Sequence, residues 1–183
     1  MTANVEGRLG DLDRVYITET ASFKFWFAGS KVTDSDGFPL RVYHGTYRDF
    51  DLFDPSHKLH FFTPSQALAK CYANDAYMAM KDDFRGATRI VMPNYLRVLQ
   101  PFDPRTHSCI DLMLKWGKGN PSEYNYAEWE ILEDLDVVAN IRALGYDGIW
   151  MREGTGYDVI AVYDPRQIRS AIGSTGVWDA MAR

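Results

Sequence analysis

The chain has 183 residues, of which 46% are hydrophobic, 14% aromatic and 25% charged, and its formal net charge is -5. This length suits one domain with its own core, and the hydrophobic and charged fractions are those of soluble globular proteins, so they argue against disorder, collagen and coiled coil. The aromatic fraction is high, which suits a β-rich core or a site that stacks flat rings. The acidic balance argues against a general binder of nucleic acid or of anionic membranes, because that binding depends on lysine and arginine.

The cysteines and histidines give no sign of a metal centre. Cys71 and Cys109 are the two cysteines, without CxxC spacing or a paired Cys/His array, and His57, His60 and His107 lack ligand spacing. We therefore predict no disulfide framework and no metal, and two free thiols fit a reducing cytosol. No stretch approaches the ~20 apolar residues of a membrane span, and the first ten residues lack a signal peptide's apolar segment. We expect a cytoplasmic protein, in its own cell or, if delivered, in a host cell.

The first part of the chain predicts an arm, an aromatic segment and a β-hairpin. Residues 1–22 are polar and are predicted to form an N-terminal arm. The aromatic cluster at 22–27 suits a short helix or an irregular segment that packs over a sheet. Val32 and Thr33 favour a strand, and the Asp36-Gly37 turn leads into a second strand over 40–46.

The second strand of this hairpin ends in His44-Gly45-Thr46. Glycine lets a flat group lie against the main chain and leaves its N–H and C=O free to bond it. Histidine offers a donor or an acceptor near neutral pH. The pattern indicates a ligand site, and a packed or surface histidine is the alternative for an isolated residue of this type. The loop over 47–55 should border the site, anchored by Phe50 and Phe53.

A helix that carries Tyr72 is predicted after a short buried strand at 60–62. Thr63 as N-cap, Pro64 at the first helical position and Gln66 at the third form a capping-box pattern, and the helix should extend to about Met80. Tyr72 would share a face with Leu68, one turn before it. A packed core tyrosine is the alternative interpretation.

The remaining elements predict a sheet with mainly antiparallel strands. A strand over 89–99 contains Pro93, which implies an edge position or a bulge, and 103–126 is expected to be a long excursion. A helix over 127–144, interrupted near 134, should end at Gly145, followed by an Asp147-Gly148 turn. Strands are predicted at 149–151 and 158–163, joined by a turn at 154–156, and a short strand or helical turn at 167–172. This order favours an α+β fold over regular βαβ winding.

Several of these segments together resemble the ADP-ribosyltransferase-like domains of phage and mobile-element polyvalent proteins and toxins. The branch is the histidine-tyrosine-glutamate one, which includes poly-ADP-ribose polymerases and diphtheria toxin. The resemblance covers residues 23–173, with 174–183 as a tail, and implies a split, mainly antiparallel β-sheet with flanking helices. It rests on the segments FWFAGSKV at 25–32, YHGT at 43–46, the helix with Tyr72, LGYDGI at 144–149 and VYDPRQIRSA at 162–171.

The resemblance implies NAD as co-substrate and assigns a role to each site residue. His44 would bond the nicotinamide-side ribose, Gly45 would bond the carboxamide through its backbone, and Tyr72 would stack on the nicotinamide ring. Thr46 would support His44 or the ribose. ADP-ribose would pass to a macromolecular acceptor, with a host protein expected ahead of a nucleic acid and no membrane partner.

The third catalytic position falls at the start of the strand over 158–163. The family places a carboxylate there, and Asp158 is the nearest candidate. Counting back from Gln167 places the position on Val159 instead, whose side chain would point to the opposite face of the strand. A bulge near Gly156 would restore Asp158. Without it, Gln167 could assist a mono-transfer reaction, or catalysis could be lost.

The sequence therefore leaves three hypotheses for the function. The first is NAD-dependent ADP-ribosyl transfer with cleavage of the nicotinamide–ribose bond. The second is a catalytically silent module that binds NAD or a protein, and the third is an NAD glycohydrolase with water as acceptor. Glu128-Trp129-Glu130 is similar to the Glu-x-Glu pair on the acceptor loop of the other transferase branch, but it precedes a predicted helix and is interpreted as charge at the helix N-terminus. Lys31 and Arg48 are interpreted as solvated surface charge, with contact to the NAD pyrophosphate as the alternative.

Overall fold

The structure is a computed structural model that describes residues 17–103, 115–116, 132, 134–152 and 156–172. Three expectations lie wholly or mostly outside these residues: the excursion at 103–126, the first part of the helix predicted over 127–144, and the C-terminal tail. Most of the N-terminal arm and of the turn at 154–156 also lies outside them.

Three α-helices are described. Helix α1 spans Ala21–Phe27, α2 spans Gln66–Met80 and α3 spans Leu135–Ala143. Helix α1 begins at Thr20, whose hydroxyl accepts a hydrogen bond from the Phe23 N–H. Phe23 is almost fully buried and meets the Tyr95 ring edge-on at 5.1 Å. The aromatic segment therefore packs over the sheet as a helix. No described helix has the length and apolar character that crossing a bilayer requires.

In the described part of the chain, seven strands form two sheets. The first sheet has the order β1-β3-β7, and the second has the order β2-β6-β5-β4. All pairs are antiparallel except β4 with β5. The strands are β1 Val42–Thr46, β2 His60–Phe62, β3 Ile90–Leu96, β4 Pro101–Phe102, β5 Gly148–Arg152, β6 Asp158–Val162 and β7 Ile168–Ser170. The expected α+β fold with a split, mainly antiparallel sheet is confirmed.

The two sheets meet strand to strand at one isolated bridge, Tyr43 with Thr63. Each residue donates its N–H to the carbonyl of the other, at 2.8 and 3.0 Å. Side-chain packing continues across this seam, since Val42 and Leu96 of the first sheet share a cluster with Phe62 and Ile160 of the second. A second cluster, which includes Leu68 of α2, Val137 of α3 and Val159 of β6, covers the other face of the second sheet. Alternate residues of β6 thus serve two different cores.

The predicted hairpin before His44 is confirmed only close to its turn. Thr33 bridges to Pro39, and the Leu40 N–H donates to the Val32 carbonyl at 3.1 Å. The Asp34 carboxylate tightens the turn, because it accepts hydrogen bonds from the N–H groups of Asp36 and Phe38. Beyond Leu40 the partner differs from the prediction, because β1 pairs with β3, with His44 opposite Met92.

The N-cap of α2 is Ser65 and not Thr63 as predicted. The Ser65 hydroxyl accepts a hydrogen bond from the Leu68 N–H at 3.2 Å. Thr63 is held by long-range contacts instead, because it bridges to Tyr43 and its hydroxyl donates to the Asp158 carbonyl at 2.8 Å. The predicted end of the helix at Met80 is confirmed.

Pro93 does not mark an edge strand, because β3 is the central strand of its sheet. The β3–β7 ladder begins one residue later, at Asn94 opposite Ser170. The Pro93 carbonyl accepts from the Ala171 N–H at 2.9 Å, on the β7 side. A residue's N–H and C=O point to the same neighbouring strand, so the proline leaves its pair with Ala171, at the end of this ladder, with one hydrogen bond in place of two.

In the C-terminal half, the predicted helix end is confirmed and the turn predicted after it is wrong. Gly145 ends α3 with a φ of 89°, as predicted. The Asp147-Gly148 turn is wrong, because β5 already begins at Gly148 and the Asp147 carboxylate accepts hydrogen bonds from the N–H groups of Leu99 and Gln100. The last predicted segment, 167–172, forms the strand β7, which was one of its two predicted alternatives, and a 3₁₀ turn at Pro165–Gln167 precedes it.

Candidate active site

His44 lines a cavity of about 250 Å³ beside the end of β1. Gly45 and Thr46 line the same cavity, so the structure brings these three predicted residues together. The loop after β1 provides much of the wall, as expected from Phe50 and Phe53. The full lining among the described residues is His44, Gly45, Thr46, Tyr47, Arg48, Phe50, Leu52, Phe53, Asp54, His57, Leu59, His60, Phe61 and Ala76.

The imidazole of His44 is fixed in one orientation. Its Nδ1 lies 2.9 Å from the Phe61 carbonyl oxygen, and its ring meets those of Phe53 and Phe62 at centroid distances of 5.1 and 5.5 Å. A carbonyl only accepts, so Nδ1 carries the proton and Nε2 of the neutral ring is an acceptor. Burial lowers the pKa of His44 below its ordinary value, with the Phe61 hydrogen bond opposing in part. His44 is therefore neutral at pH 7.

Two more histidines and one carboxylate border this cavity, and no sequence pattern predicted them there. The His57 and His60 rings lie 6.0 Å apart, and His60 meets the Phe53 ring edge-on at 5.2 Å. Asp54 is ionised, because hydrogen bonds from Ser56 lower its pKa. The only local sign in the sequence was the two phenylalanines that were expected to anchor this loop. The positions of these three residues depend on how the whole loop folds over β2, which no local pattern shows. No group of three or more potential ligands for a metal occurs within the described part of the chain.

Gly45 faces α2 at very close range. A Cβ atom on Gly45 would lie 2.1 Å from the Ala69 carbonyl oxygen, 2.7 Å from the Ala73 nitrogen and 2.9 Å from the Tyr72 Cβ. Glycine is therefore required here for the approach of a strand to a helix, in addition to any role toward a ligand.

Tyr72 is next to Gly45 but does not line the His44 cavity among the described residues. Its side chain is partly buried and packs, with Phe61, against the cluster that contains Leu68 and Val159. Phe61 belongs to both regions, because it also lines the cavity. Tyr72 therefore lies one helical turn before Ala76, which does line the cavity. It lies on the side of β1 where Gly45 meets α2.

Asp158 lies at the start of β6, and its side chain is on the face of the second sheet that His44 contacts. Phe62 contacts His44 and pairs with Ile160, and Asp158 precedes Ile160 by two residues. Its carboxylate accepts hydrogen bonds from Arg152 Nε at 2.9 Å and Trp150 Nε1 at 3.2 Å. It lies outside the His44 cavity and borders an open depression with Ser65 and Arg152.

A sequence model of the ADP-ribosyltransferases in polyvalent proteins matches residues 34–178, well over half of the chain. The chain belongs to this ADP-ribosyltransferase family. No curated protein and no solved structure matches it. Membership supports ADP-ribosyl transfer as the general activity, and the split sheet agrees with it.

In this ADP-ribosyltransferase domain Val159 and Gln167 have structural roles. Val159 is almost fully buried in the cluster against which Tyr72 packs, so this face of β6 presents an apolar group there. The Gln167 amide oxygen accepts from the N–H groups of Tyr163 and Asp164, and its nitrogen donates to the carbonyls of Arg97 and Asp147. All four hydrogen-bonding positions of this amide are used by the main chain.

The histidines of the site make the stability of the domain dependent on pH. Burial, followed by the charges of His57 and His44, lowers the pKa of His60 to about 4 from its ordinary 6.5, with Asp54 and Asp164 opposing. His44 shifts in the same direction. The unfolded chain therefore binds more protons below pH 6.5, and we expect the free energy of unfolding to fall by about 1–2 kcal/mol between pH 7 and pH 5.

Urea unfolding at the two pH values measures this effect. The expected change of about 1–2 kcal/mol allows for screening of the histidine charges by the solvent that reaches the cavity. The variant His60→Gln should lose most of the pH dependence, since glutamine does not titrate. Equal pH dependence in the two proteins would show that His60 is not the group responsible.

Proposed function

We propose that this domain is an NAD-dependent ADP-ribosyltransferase that cleaves the nicotinamide–ribose bond and passes ADP-ribose to a macromolecular acceptor, a protein in the first place. Family membership supports the reaction class. The observation that carries the proposal is the neutral His44, fixed by the Phe61 carbonyl at the wall of a cavity that it shares with Gly45 and Thr46. We place the domain at residues 23–173, because Phe23 of α1 is buried against Tyr95.

His44 would orient the ribose on the nicotinamide side of NAD. With Nδ1 bonded to the Phe61 carbonyl, Nε2 accepts a hydrogen bond from a ribose hydroxyl. Gly45 would bond the carboxamide through its backbone N–H and C=O, and Thr46 would support the ribose. The ring of Tyr72, next to Gly45, would stack on the nicotinamide after a change of its packing against Phe61 and Leu68.

The proposed reaction breaks the C–N bond between ribose and nicotinamide. The bonding electrons leave with nicotinamide, which becomes neutral, and positive charge develops on the ribose ring. A nucleophile of the acceptor then bonds to the same carbon and loses its proton. Asp158 is the proposed carboxylate that stabilises this charge, because it lies on the His44 face of the second sheet.

Labelled NAD added to the purified domain and a cell lysate tests the proposal. We expect a labelled macromolecule with the native chain and at least a 100-fold loss of label with His44→Ala or Tyr72→Ala, since each removes a group that positions NAD. Tyr77→Ala is the matched control, because Tyr77 lies on the same helix and packs under Arg89, 4.0 Å from the ring centroid. Label that survives both site substitutions would refute the assignment.

A silent NAD-binding module is the second candidate, favoured by the pairing of Asp158 with Arg152 and by the apolar Val159. It predicts that NAD raises the melting temperature without release of nicotinamide. Release of free ADP-ribose in the absence of any acceptor would instead indicate an NAD glycohydrolase. Measuring nicotinamide and ADP-ribose in the same reaction separates the three activities.

A further inference from the structure

The carboxylate of Asp158 is held by two side chains of the neighbouring strand β5. Trp150 donates from Nε1 to Oδ2 at 3.2 Å, and Arg152 donates from Nε to Oδ1 at 2.9 Å. The main chain of Asp158 is held separately, because the Thr63 hydroxyl donates to its carbonyl at 2.8 Å. Each carboxylate oxygen can accept more than one hydrogen bond, so these two contacts orient the group without by themselves blocking it.

The two donors differ in how firmly they are held. The Arg152 side chain is 55% exposed, and a surface arginine exchanges such a contact for water at little cost. Trp150 is half-buried, and its ring packs against the cluster that contains Val42, Phe62 and Ile160. A ring that is packed in this way has little rotational freedom, so the indole N–H is the donor that fixes where the carboxylate lies.

Trp150 also connects Asp158 to the His44 side of the site. Phe62 of β2, Ile160 of β6 and Trp150 of β5 lie opposite one another in register, so they form one row across the second sheet. Phe62 meets the His44 ring at 5.5 Å at one end of this row. Trp150 bonds Asp158 at the other end. The row therefore sets the distance between the imidazole and the carboxylate.

We propose that Trp150 is a positioning residue for ADP-ribosyl transfer, because its indole holds the Asp158 carboxylate in place relative to His44. The proposal rests on the proposed function, in which this carboxylate stabilises the positive charge that develops on the ribose. Such stabilisation depends on distance and direction, so a carboxylate displaced by about 1 Å loses much of its effect. Trp150 itself touches neither NAD nor the acceptor and acts only through Asp158.

The variant Trp150→Phe keeps a ring in the row and removes the N–H. We expect kcat for transfer to fall about 10-fold while KM for NAD stays within 2-fold, because the groups proposed to bind NAD are left in place. Trp26→Phe is the matched control, since it also removes an indole donor, which bonds the Arg166 carbonyl at 3.0 Å from helix α1. This control should keep the native kcat and KM. Equal losses of kcat in the two variants would overturn the proposal.

A double-mutant cycle separates positioning from a general loss of stability. If the indole acts through the carboxylate, Trp150→Phe should change the single-turnover rate by less than 2-fold in a chain that already carries Asp158→Asn. A 10-fold loss in both backgrounds would show that Trp150 supports the fold and does not act through Asp158. Rates are compared per folded protein, well below the melting temperature of each variant.

Hydrogen exchange tests the contact without any transfer activity. The Trp150 indole N–H should exchange with deuterium at least 10-fold faster in Asp158→Ala than in the native chain, whereas the Trp26 indole should exchange equally in both. Equal exchange of the Trp150 indole in the two proteins would overturn the proposal. Absence of transfer by the native chain would refute the proposed function, and the exchange result would still decide whether Trp150 holds the carboxylate.

Discussion

Replacing Gly45 by alanine is expected to destabilise the fold by about 3 kcal/mol, the upper end of what overpacking usually costs. The new methyl group would lie 2.1 Å from the Ala69 carbonyl oxygen and 2.7 Å from the Ala73 nitrogen, and neither backbone atom can move without displacing α2 from β1. The φ of Gly45 is not in the left-handed region, so the cost is steric and not conformational. Chemical unfolding of the variant measures the loss.

Gly37→Ala is the control for this substitution. Gly37 has a φ of 83°, and a Cβ there would meet nothing within 4 Å. Its replacement should cost only about 1 kcal/mol, from backbone strain. Equal losses at the two glycines would show that α2 does not press against β1 as closely as the structure places it. Because Tyr72 lies in the same contact, Gly45→Ala should also reduce transfer of ADP-ribose in the fraction that stays folded.

Replacing Asp158 by asparagine is expected to lower ADP-ribosyl transfer by 100- to 1,000-fold. The proposed role of the Asp158 charge is to stabilise the positive charge that develops on the ribose as nicotinamide leaves. The substitution keeps the size of the side chain and removes its negative charge. The ion pair with Arg152 is partly exposed, with Asp158 24% and Arg152 55% accessible, so its loss should cost no more than about 1 kcal/mol of stability. Rates from single-turnover reactions, compared with melting temperatures, separate the two effects.

Arg152→Gln tests whether the carboxylate or the ion pair matters. This variant breaks the same contact but leaves Asp158 charged, so we expect it to keep most of the transfer activity. A native rate in Asp158→Asn would remove β6 as the source of a carboxylate, because Val159 is buried on the other face. Equal losses in both variants would indicate that the pair acts by holding β5 and β6 together.

The fold was largely predictable where local chemistry decides. Gly145 ends α3 because glycine reaches a positive φ without a steric cost. The cap of α2 was misplaced because Thr63 and Ser65 are both good capping residues, and the choice depends on the bonds of Thr63 to Tyr43 and Asp158, far away in sequence. The position of Pro93 in a central strand likewise depends on where the β7 ladder begins.

The sequence indicates which residues are candidates for the site more readily than how they are arranged in space. His44, Gly45 and Thr46 are consecutive, so one strand brings them to one cavity. Tyr72 and Asp158 come from other elements, and which face of β1 and β6 each occupies is fixed by the register of long-range pairs. The roles of Tyr72 and Asp158 remain predictions.

The seam between the two sheets has a mechanical consequence. Hydrogen bonds in a ladder fix direction and spacing, whereas apolar packing of the kind shared by Val42, Phe62 and Ile160 has no preferred angle. Two polar contacts cross the seam side by side, the backbone bridge between Tyr43 and Thr63 and the hydrogen bond from His44 Nδ1 to the Phe61 carbonyl. His44 itself therefore ties the two sheets together, so the width of its cavity depends on how the sheets are set against each other at this point.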